Sequence, residues 1–422
     1  MMNQLTKHNR SLQNLLENGD EKFDSGILSQ MVDLDSIDLV LRECLTIDDM
    51  RDAGSFFTGQ KLATSVVNAF AEPITFSSRV LDPTCGAGNL LIECSRRLGI
   101  ESTLSKTLKK WGQVLWGFDL NFSFIEASKL RIIVEALRRG VKKDCSLNSA
   151  LEYLNNIKVQ DVMDIKTLDV IDVTHVILNP PFTIWPSPKE NYWKKGKVNA
   201  AGVVFDKLIR LLPANTCISA IFPDVLRSGS RYKNFRDFVS SKLHGTCTVW
   251  GRFNTKTDVD VFILNGLINE NQSEISWFDS LEHYEKLEDR FNVRIGPLVA
   301  YRDLEEGDLY AYIHPKNCPK WEVLDVVTER RRFSGAVIKS PFVVVKRTSS
   351  PSDNSRASAT IVSMQEPVAV ENHLIVISPK SGLLKDCKKL LKTLKSEKTN
   401  SFLNDRARMR HLTVDVIKSL PI

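Results

Sequence analysis

The sequence predicts an α/β protein built on a parallel sheet, followed by a separate α+β domain. Between residues 80 and 275, short apolar runs of strand length alternate with helical stretches, which is the order that a parallel sheet with crossover helices requires. Beyond residue 290, β-like runs follow one another across Ser-, Pro- and Asn-rich loops and lead into basic helices. The length of 422 residues exceeds one ordinary domain, so two folding units are expected.

The composition limits the class of protein. Hydrophobic residues make up 42% and charged residues 26%, as in soluble globular proteins, and no apolar run reaches the roughly 20 residues that cross a bilayer. The first residues are polar and include acids, unlike a secretory signal, so we expect a cytoplasmic protein with no membrane partner. The eight cysteines form no CxxC pair and no Cys/His cluster at zinc spacing, so we expect reduced thiols and no metal site. A net charge of +6 is too small to decide about nucleic acid.

The elements are predicted in order along the chain. An amphipathic helical segment takes residues 1–50, and the turn GSFFTG at 54–59 separates it from a helix at residues 60–70. The α/β domain takes residues 51–275 and the α+β domain residues 290–422. In the α/β domain, strands are expected at VLD (80–82), VLWGFDL (114–120), VTHVIL (173–178), CISAIFP (217–223) and VDVFILNGLI (259–268). In the α+β domain they are expected within residues 321–333, 341–349, 360–364 and 371–379, before helices near 385–398 and 404–410.

The first segment that indicates chemistry is DPTCGAGN at residues 82–89, where a strand ends and a helix begins. Ligands bind at this edge of an open α/β sheet. Gly86 and Gly88 let the main chain turn sharply and approach a ligand, and Asp82 supplies a carboxylate for a polar or cationic group. A glycine pair also occurs in strand-to-helix turns that have only a structural role.

Two further acids end predicted strands. Asp119 closes the second apolar run, where a carboxylate can accept hydrogen bonds from ribose hydroxyls, although it also fits a helix cap. Asp161 follows a third candidate strand at residues 157–160, where it can accept from an adenine amino group while Val162 packs on the ring. Asp161 also fits an ordinary turn residue.

The segment VILNPPF at residues 176–182 indicates the reaction most directly. A buried strand that ends in Asn-Pro-Pro-aromatic has no evident stability rationale, since the two prolines fix the backbone without offering N–H donors. The Asn179 side-chain oxygen and the Pro180 carbonyl can accept both hydrogens of an exocyclic amine, while Phe182 stacks on the base. The alternative is a Pro-Pro strand terminator followed by a core phenylalanine.

These motifs resemble a known family. DPTCGAG followed by NPPF resembles the amino-methyltransferase superfamily, and FFTG ahead of DPTCGAG resembles the gamma-type N6-adenine DNA methyltransferases, the modification methylases of restriction-modification systems. The segments FPDVLRS (222–228) and GRFNTKT (251–257) follow in the family order, so the resemblance covers about residues 50–270. It implies a Rossmann-like S-adenosylmethionine-dependent methyltransferase sheet with a C-terminal α+β DNA-recognition domain.

The resemblance also implies a reaction and a set of site residues. A methyl group would pass from S-adenosylmethionine to the N6 amino group of a flipped-out adenine in double-stranded DNA, for restriction-modification. The catalytic residues would be Asn179, Pro180, Pro181 and Phe182. The cofactor would be bound by Phe57, Thr58, Asp82, Pro83, Cys85, Gly86, Gly88, Asp119, Asp161, Val162 and Asn179. Phe182 and Phe253 would hold the base, although Phe253 equally fits a core aromatic residue of a strand.

A flipped base requires a protein that grips the DNA around it. One candidate is the loop WPSPKENYWKKGK (185–197), where aromatic and lysine residues interleave and which we expect to become ordered on DNA, although a solvated loop fits as well. The others are the basic clusters of the α+β domain at Arg330–Arg332, Lys346–Arg347, Lys388–Lys389 and Arg406–Arg410. Charge runs of this kind also occur as plain solvated faces.

Other partners and functions stay open at this stage. A specificity subunit or a cognate restriction endonuclease is expected as a possible partner, and the large N-terminal helical domain of the modification subunits is expected to be missing. An RNA adenine or guanine, or a protein glutamine amide, offers the same planar amine as DNA adenine. A methyltransferase fold can also be a non-catalytic scaffold, although this chain retains both the glycine turn and the NPPF segment.

Overall fold

The computed structural model describes residues 2–18, 25–36, 58–189, 192–253, 259–269, 274–278 and 284–422. These residues form two compact units. The first unit consists of Met1–Arg227 and Arg231–Trp277, and the second of Ser228–Ser230 and Phe278–Ile422. No helix in the described part of the chain is long and apolar enough to cross a membrane.

The first unit alternates helices and strands. Its helices are α1 (Met2–Asn18), α2 (Ser25–Met31), α3 (Gln60–Asn68), α4 (Asn89–Ser95), α5 (Leu104–Val114), α6 (Phe122–Arg138), α7 (Leu147–Glu152), α8 (Thr167–Val170), α9 (Ala200–Ile209), α10 (Val225–Ser228), whose last residue is assigned to the second unit, and α11 (Lys233–Ser240). Its strands are β1 (Val80–Asp82), β2 (Leu115–Asp119), β3 (Ile157–Val159), β4 (His175–Leu178), β5 (Ile184–Pro186), β6 (Lys197–Asn199), β7 (Cys217–Pro223), β8 (Leu243–Arg252), β9 (Asp260–Ile268) and β10 (Ile275–Ser276). Short 3₁₀ turns lie at Val162–Asp164 and Ser230–Tyr232.

Eight of these strands form one twisted sheet in the order β10-β8-β9-β7-β4-β1-β2-β3. The strands from β3 through β7 run parallel, and β9 is antiparallel to both of its neighbours, β7 and β8. From β1 the chain continues to β2 and β3 on one side, and then crosses back to β4 on the other side of β1. The carboxyl ends of β1 and β4 therefore border the crevice where the strand order reverses, which is the usual ligand site of such sheets.

Helices cover both faces of this sheet, which explains the apolar character of its central strands. All four residues of β4 and all seven of β7 are buried. Alternate side chains of β7 enter different hydrophobic clusters: Ile221 joins one, and Ile218 and Phe222 join the other. Since a strand buried on both faces has no solvated side, it shows a continuous apolar run rather than an alternating one.

The second unit is an α+β structure with two sheets. Its strands are β11 (Phe291–Ile295), β12 (Asp308–Ile313), β13 (Val323–Leu324), β14 (Arg330–Phe333), β15 (Phe342–Lys346), β16 (Ala359–Val362), β17 (Val368–Val370) and β18 (Leu374–Pro379). Its helices are α12 (Leu287–Arg290), α13 (Leu384–Lys395), α14 (Glu397–Arg406) and α15 (Val414–Lys418). The sheet orders are β11-β18-β15-β16-β13 and β14-β12-β17.

The central strand of the larger sheet, β15, is buried on both sides. Val343 and Val345 pack with apolar residues of the C-terminal helices, while Phe342 and Val344 pack with residues of β12 and β17. One face of the β15 segment FVVV thus packs against the C-terminal helices, and the other face packs against the smaller sheet. The α/β fold class is confirmed, and helices α1 and α2 lie within residues 1–50.

Candidate functional site

A cavity of about 310 Å³ lies at the carboxyl ends of the parallel strands in the first unit. Its volume falls within the range of small-molecule sites. It is lined by Thr58, Asp82, Pro83, Thr84, Cys85, Gly86, Asn89, Leu90, Asp119, Leu120, Asn121, Phe124, Gln160, Asp161, Val162, Met163, Asn179, Pro181 and Trp185. The segments that follow β1, β2, β3 and β4 all contribute, because parallel strands deliver their carboxyl ends to one edge.

The glycine turn after β1 forms one wall of the cavity. Gly88 has a φ of 83°, a left-handed conformation that glycine adopts without strain, and it begins α4. A Cβ atom at Gly88 would lie 2.3 Å from the Ser128 Oγ of α6, so only glycine fits this close helix approach. The turn is tied to the neighbouring strand, since the Cys85 amide donates to the Phe118 carbonyl at 2.8 Å.

Asp82 and Asp119 place two carboxyl groups beside this turn. Burial raises the pKa of Asp82 to about 8, against the lowering effect of the hydrogen bond from the Thr84 amide. Burial also raises the pKa of Asp119, whose two oxygens accept the amides of Gly86 at 3.1 Å and Asn121 at 2.8 Å. A buried carboxyl with a raised pKa ionises more readily beside a cation, so this wall favours a positively charged ligand.

Asp161 is positioned for both of the interpretations that the sequence left open, because it caps a turn and also lines the cavity. Its side chain accepts the Met163 amide at 2.8 Å and caps the 3₁₀ turn that begins at Val162. Asp161 and Val162 also line the cavity, and Val162 is buried. The residue that caps this turn therefore also lies on the wall of the cavity.

Asn179 lies immediately after β4, on the side of the cavity next to β1. Its Nδ2 donates to the Thr58 Oγ1 at 3.1 Å. Because the amide nitrogen is directed to Thr58, the amide oxygen is the atom of Asn179 that can accept a hydrogen bond from a ligand amine. Thr58 thus links the segment before α3 with the NPPF segment after β4.

Thr58 is itself held by a buried network that sequence reasoning missed. The Asn89 side-chain amide donates to the Thr58 carbonyl at 2.8 Å and to the Leu34 carbonyl at 2.9 Å. Arg131 of α6 donates to the Asn89 Oδ1 at 2.6 Å and to the Ala87 carbonyl at 2.7 Å. Arg131 is fully buried, and burial lowers the pKa of its guanidinium.

The same guanidinium reaches the N-terminal segment. It donates to the Met31 carbonyl at 3.3 Å and the Asp33 carbonyl at 3.2 Å. An arginine in the middle of a helix usually extends into solvent, so its sequence context carried no signal of this role. Arg131 fixes Asn89, and Asn89 fixes Thr58 at the cavity.

The predicted site residues divide into two groups. The cavity lining brings together Thr58, Asp82, Pro83, Cys85, Gly86, Asp119, Asp161, Val162, Asn179 and Pro181. Gly88, Pro180, Phe182 and Phe253 stand outside this lining, and Phe57 lies outside the described residues. Lining residues that the sequence did not single out include Leu120 and Phe124, which follow Asp119 closely, and this proximity was the available signal; Trp185, assigned to the DNA-gripping loop, also lines the cavity.

Phe182 and Phe253 contact each other beside the NPPF segment. Their ring centroids are 5.9 Å apart with an interplanar angle of 80°, an edge-to-face arrangement. Phe253 follows β8 directly and is only 6% exposed, within a hydrophobic cluster on one side of the sheet. The two rings are therefore packed together in this structure, as the core interpretation of Phe253 expects.

The lysine-rich loop after the NPPF segment differs from its prediction. It forms an antiparallel hairpin in which Trp185 of β5 pairs with Val198 of β6. The Tyr192 hydroxyl donates to Asp206, and the Trp193 ring packs 5.9 Å from the Phe235 ring, measured between centroids. Aromatic and lysine side chains are therefore separated: Tyr192 and Trp193 pack against the protein, whereas the lysines at positions 194, 195 and 197 are exposed. The described part of this loop is held by protein contacts.

The comparisons with known proteins concern the same part of the chain. Residues 40–204 match the model of a family described as N-6 DNA Methylase. This range includes the glycine turn, all three acids and the NPPF segment. No curated protein matches the chain.

Several solved structures are similar to this chain, and one of them has a TM-score above 0.5. The chain is similar to the type IIL restriction-modification enzyme MmeI, solved in complex with DNA, with a TM-score of 0.53 and 9% identity over 90% of this chain and 69% of that chain. It is also similar to the type IIG restriction endonuclease BpuSI, with a TM-score of 0.45 and 14% identity over 94% of this chain and 60% of that chain. A modification subunit of a putative type I restriction enzyme from Vibrio vulnificus YJ016 gives a TM-score of 0.41 and 14% identity over 66% of this chain and 53% of that chain.

This chain thus spans 60% of the length of BpuSI and 53% of that of the modification subunit. The family match covers the part of the chain that forms most of the cavity. The resemblance to N6-adenine DNA methyltransferases that the motifs indicate is supported by this match, since residues 40–204 are similar to the N-6 DNA methylase family.

Proposed function

We propose that this protein is an S-adenosylmethionine-dependent DNA methyltransferase that methylates the N6 amino group of a flipped-out adenine in double-stranded DNA, as part of a restriction-modification system. The observation that carries the proposal is the position of Asn179 on a cavity that also holds Asp82, Asp119 and Gly86. A hydrogen-bond acceptor for an amine therefore lies on the same cavity as the carboxyl groups and the glycine turn that suit a cationic cofactor. The family match over residues 40–204 supports the same conclusion.

The cavity wall fits the cofactor by its chemistry. When bound, S-adenosylmethionine supplies an electrophilic methyl group on a sulfonium that lies beside an amino acid moiety and a nucleoside. Asp82, buried and with a raised pKa, suits the cationic part of such a ligand. Asp119 suits the ribose hydroxyls and Asp161 the adenine amine, with Val162 and Leu120 as apolar contacts for the ring.

Asn179 and Pro180 would act on the acceptor amine. The lone pair of an aromatic amine is delocalised into its ring, so the amine is a poor nucleophile. Hydrogen bonds from its two hydrogens to the Asn179 Oδ1 and the Pro180 carbonyl favour a pyramidal nitrogen, whose lone pair is more reactive. The fixed orientation of the Asn179 amide, through Thr58, means that this acceptor needs no rearrangement when the base arrives.

The proposal requires DNA as the partner. A base paired within a duplex cannot present its amine to this cavity, so the target nucleotide must leave the stack at a cost of roughly a few kcal/mol. The exposed lysines of the β5–β6 hairpin, next to Trp185 on the cavity wall, suit contacts to the flanking phosphates. We further propose that the second unit is the DNA-recognition domain, with a specificity subunit or a cognate endonuclease as additional partners.

One experiment separates the acceptor classes. The purified chain is incubated with S-adenosylmethionine labelled on its methyl group and, in parallel, with unmethylated genomic DNA, total RNA and a protein extract. We expect label in the DNA alone. Label confined to RNA or protein would overturn the DNA assignment, and a lack of both label and cofactor binding would favour a non-catalytic scaffold.

A further inference from the structure

The second unit contains basic residues in two different environments. The arginines of β14 are bound within the unit: Arg330 forms two hydrogen bonds with the Glu366 carboxylate at 2.9 and 2.7 Å. Arg331 donates to the Ala300 and Asp303 carbonyls, and Arg332 donates to the Gly307 carbonyl at 3.0 Å. This cluster was the most basic run of the sequence, and its guanidinium groups already have acceptors.

Helix α13 presents a different arrangement. Its sequence LKDCKKLLKTLK contains five lysines and one aspartate, and its apolar side buries Cys387, Leu390 and Leu394 against the larger sheet. The lysines at positions 385, 388, 389, 392 and 395 are all exposed. At 3.6 residues per turn these five positions fall within an arc of about 120°, opposite the buried side. We call them the lysine face of α13.

The lysine face is not paired with carboxylates among the residues that the structure describes. In the part of the chain that the structure describes, none of its five ammonium groups forms a salt bridge with a carboxylate. The aspartate of the helix, Asp386, instead accepts a hydrogen bond from the Ser381 hydroxyl. Lysines three and four positions apart on one helix repel each other, which destabilises the helix. A bound polyanion would remove that repulsion.

We propose that the lysine face of α13 binds the phosphate backbone of duplex DNA without regard to base sequence. Its ends, Lys385 and Lys395, are about 15 Å apart along the helix axis, a length over which duplex DNA carries roughly nine phosphate charges. Lysine is a flexible point charge without the planar fork that recognises a guanine edge, so it suits phosphates rather than bases. This inference rests on the proposed function, because it takes DNA as the substrate.

The test is the salt dependence of DNA binding by the full chain. A variant with all five lysines changed to glutamine keeps helix propensity, since lysine and glutamine rank together as helix formers. The dissociation constant for a fluorescent 30-base-pair duplex is measured from 50 to 200 mM NaCl. For the variant we expect the slope of log K against log salt to shrink by about 0.9 for each phosphate that it no longer neutralises, hence by about 2 to 4 in total. Affinity at 100 mM NaCl should fall at least about tenfold for the same reason.

A matched control removes the same charge elsewhere. The control variant carries glutamine in place of five other exposed lysines, at positions 106, 142, 166, 316 and 339, and should change the slope by less than about 0.5. If the slope shrinks equally in both variants, only net charge matters and the assignment to α13 is overturned. An unchanged slope in the α13 variant, beside a wild-type chain that binds and methylates DNA, would overturn the inference and leave the proposed function intact.

Two further outcomes concern the partner. A wild-type chain that fails to bind duplex DNA at every salt concentration would overturn the inference and the proposed function together. Tighter binding of wild type to a duplex RNA of the same sequence, with the α13 variant losing that preference, would reassign the lysine face to RNA. Thermal unfolding of the α13 variant and the control is compared with wild type, so that a smaller slope is not confused with an unfolded protein.

Discussion

Asn179 and Thr58 come from segments more than a hundred positions apart, and one hydrogen bond of 3.1 Å joins them at the cavity. Asn179 would contact the acceptor amine, whereas Thr58 orients the amide of Asn179. Catalytic and positioning functions at this site are therefore separable by substitution.

Substitution of Asn179 tests the catalytic role. N179A removes the acceptor for one amine hydrogen but leaves Asp82, Asp119 and the glycine turn in place. We expect methyl transfer to fall by at least about a hundredfold, as when one preorganised polar group is removed from an active site. The dissociation constant for S-adenosylmethionine, measured by calorimetry, should stay within a few-fold of wild type. Retained turnover in N179A would refute the assignment.

Thr58 allows a matched pair of variants. T58V keeps the shape of the side chain and removes the hydroxyl, whereas T58S keeps the hydroxyl. Since one hydrogen bond contributes about 1 kcal/mol, T58V should lower single-turnover methyl transfer about three- to tenfold, and T58S by less than about twofold. Equal rates in the two variants would show that the hydroxyl does not orient Asn179.

Asp82 predicts a pH dependence of cofactor binding. Burial raises its pKa to about 8, so the carboxyl must lose a proton before it can pair with a cationic ligand. Cofactor affinity should therefore rise between pH 6 and pH 7.5, by up to about tenfold per pH unit. D82N should bind more weakly and show a flatter profile. The dissociation constant for S-adenosylmethionine is measured by calorimetry across this pH range for wild type and D82N. The same pH dependence in both proteins would contradict the role of Asp82.

The raised pKa of Asp82 also determines how the stability of the ligand-free protein changes with pH. The folded state holds the Asp82 proton more tightly than the unfolded chain does, where the pKa is near its ordinary value of 3.8. The contribution of Asp82 to the free energy of unfolding is therefore fully present below about pH 4 and is lost as pH rises towards 8. D82N should lack this decline in a pH series of thermal unfolding, whereas a decline as steep as that of wild type would contradict it.

At the scale of elements, Arg131 of α6 connects the segment after α2 with the turn before α4. Its hydrogen bonds to the Met31 and Asp33 carbonyls cross about a hundred positions of sequence, and its bonds to Ala87 and Asn89 hold the glycine turn. The network joins the N-terminal helices to the cavity wall.

The variant R131M tests this connection. Methionine fills a similar volume but leaves buried carbonyls without donors, which should destabilise the first unit by about 2–4 kcal/mol. Hydrogen exchange of residues 31–34 should accelerate, and cofactor affinity should fall because Asn89 and Thr58 line the cavity. The control R79M, in the same unit, removes an exposed ion pair with Asp172 and should cost less than about 1 kcal/mol. Unchanged exchange at residues 31–34 in R131M would contradict this role.

The elements divide into those the sequence could predict and those it could not. Strands β1, β2, β4, β7 and β9 were predicted because each is an apolar run bounded by polar or turn residues. The β5–β6 hairpin was not, because its aromatic residues are stabilised by packing on α9 and α11, whose contacts are distant in sequence. Strand β8 was missed because its small and polar side chains, half of them exposed, give a weak pattern.

The site shows the same division. Asp82, Asp119 and Asn179 were predicted as candidates because Asp82 and Asp119 end strands and Asn179 directly follows one, and the position of a strand end is readable from one sequence. Asn89 and Arg131 were missed because their burial arises only when the N-terminal segment covers them. The residues at the cavity edge of the sheet can be predicted from local sequence. The residues that hold them in place cannot, because their positions depend on tertiary contacts.

At the scale of the whole molecule, the division into two compact units separates the proposed chemistry from the proposed recognition. Every residue that lines the cavity belongs to the first unit, which has its own hydrophobic clusters. Removal of residues 278–422 should therefore preserve cofactor binding, measured by calorimetry, and abolish sequence-selective DNA binding, measured by competition between duplexes. Unchanged target selectivity in the shortened chain would contradict the assignment of recognition to the second unit.

The central claim is the identity of the methylated atom. The chain is incubated with S-adenosylmethionine and unmethylated genomic DNA, the DNA is digested to nucleosides, and the methylated nucleoside is identified by mass spectrometry beside an N179A control. We predict N6-methyladenine with wild type and none with N179A. A methyl group on another base, or equal N6-methyladenine in both samples, would contradict the account.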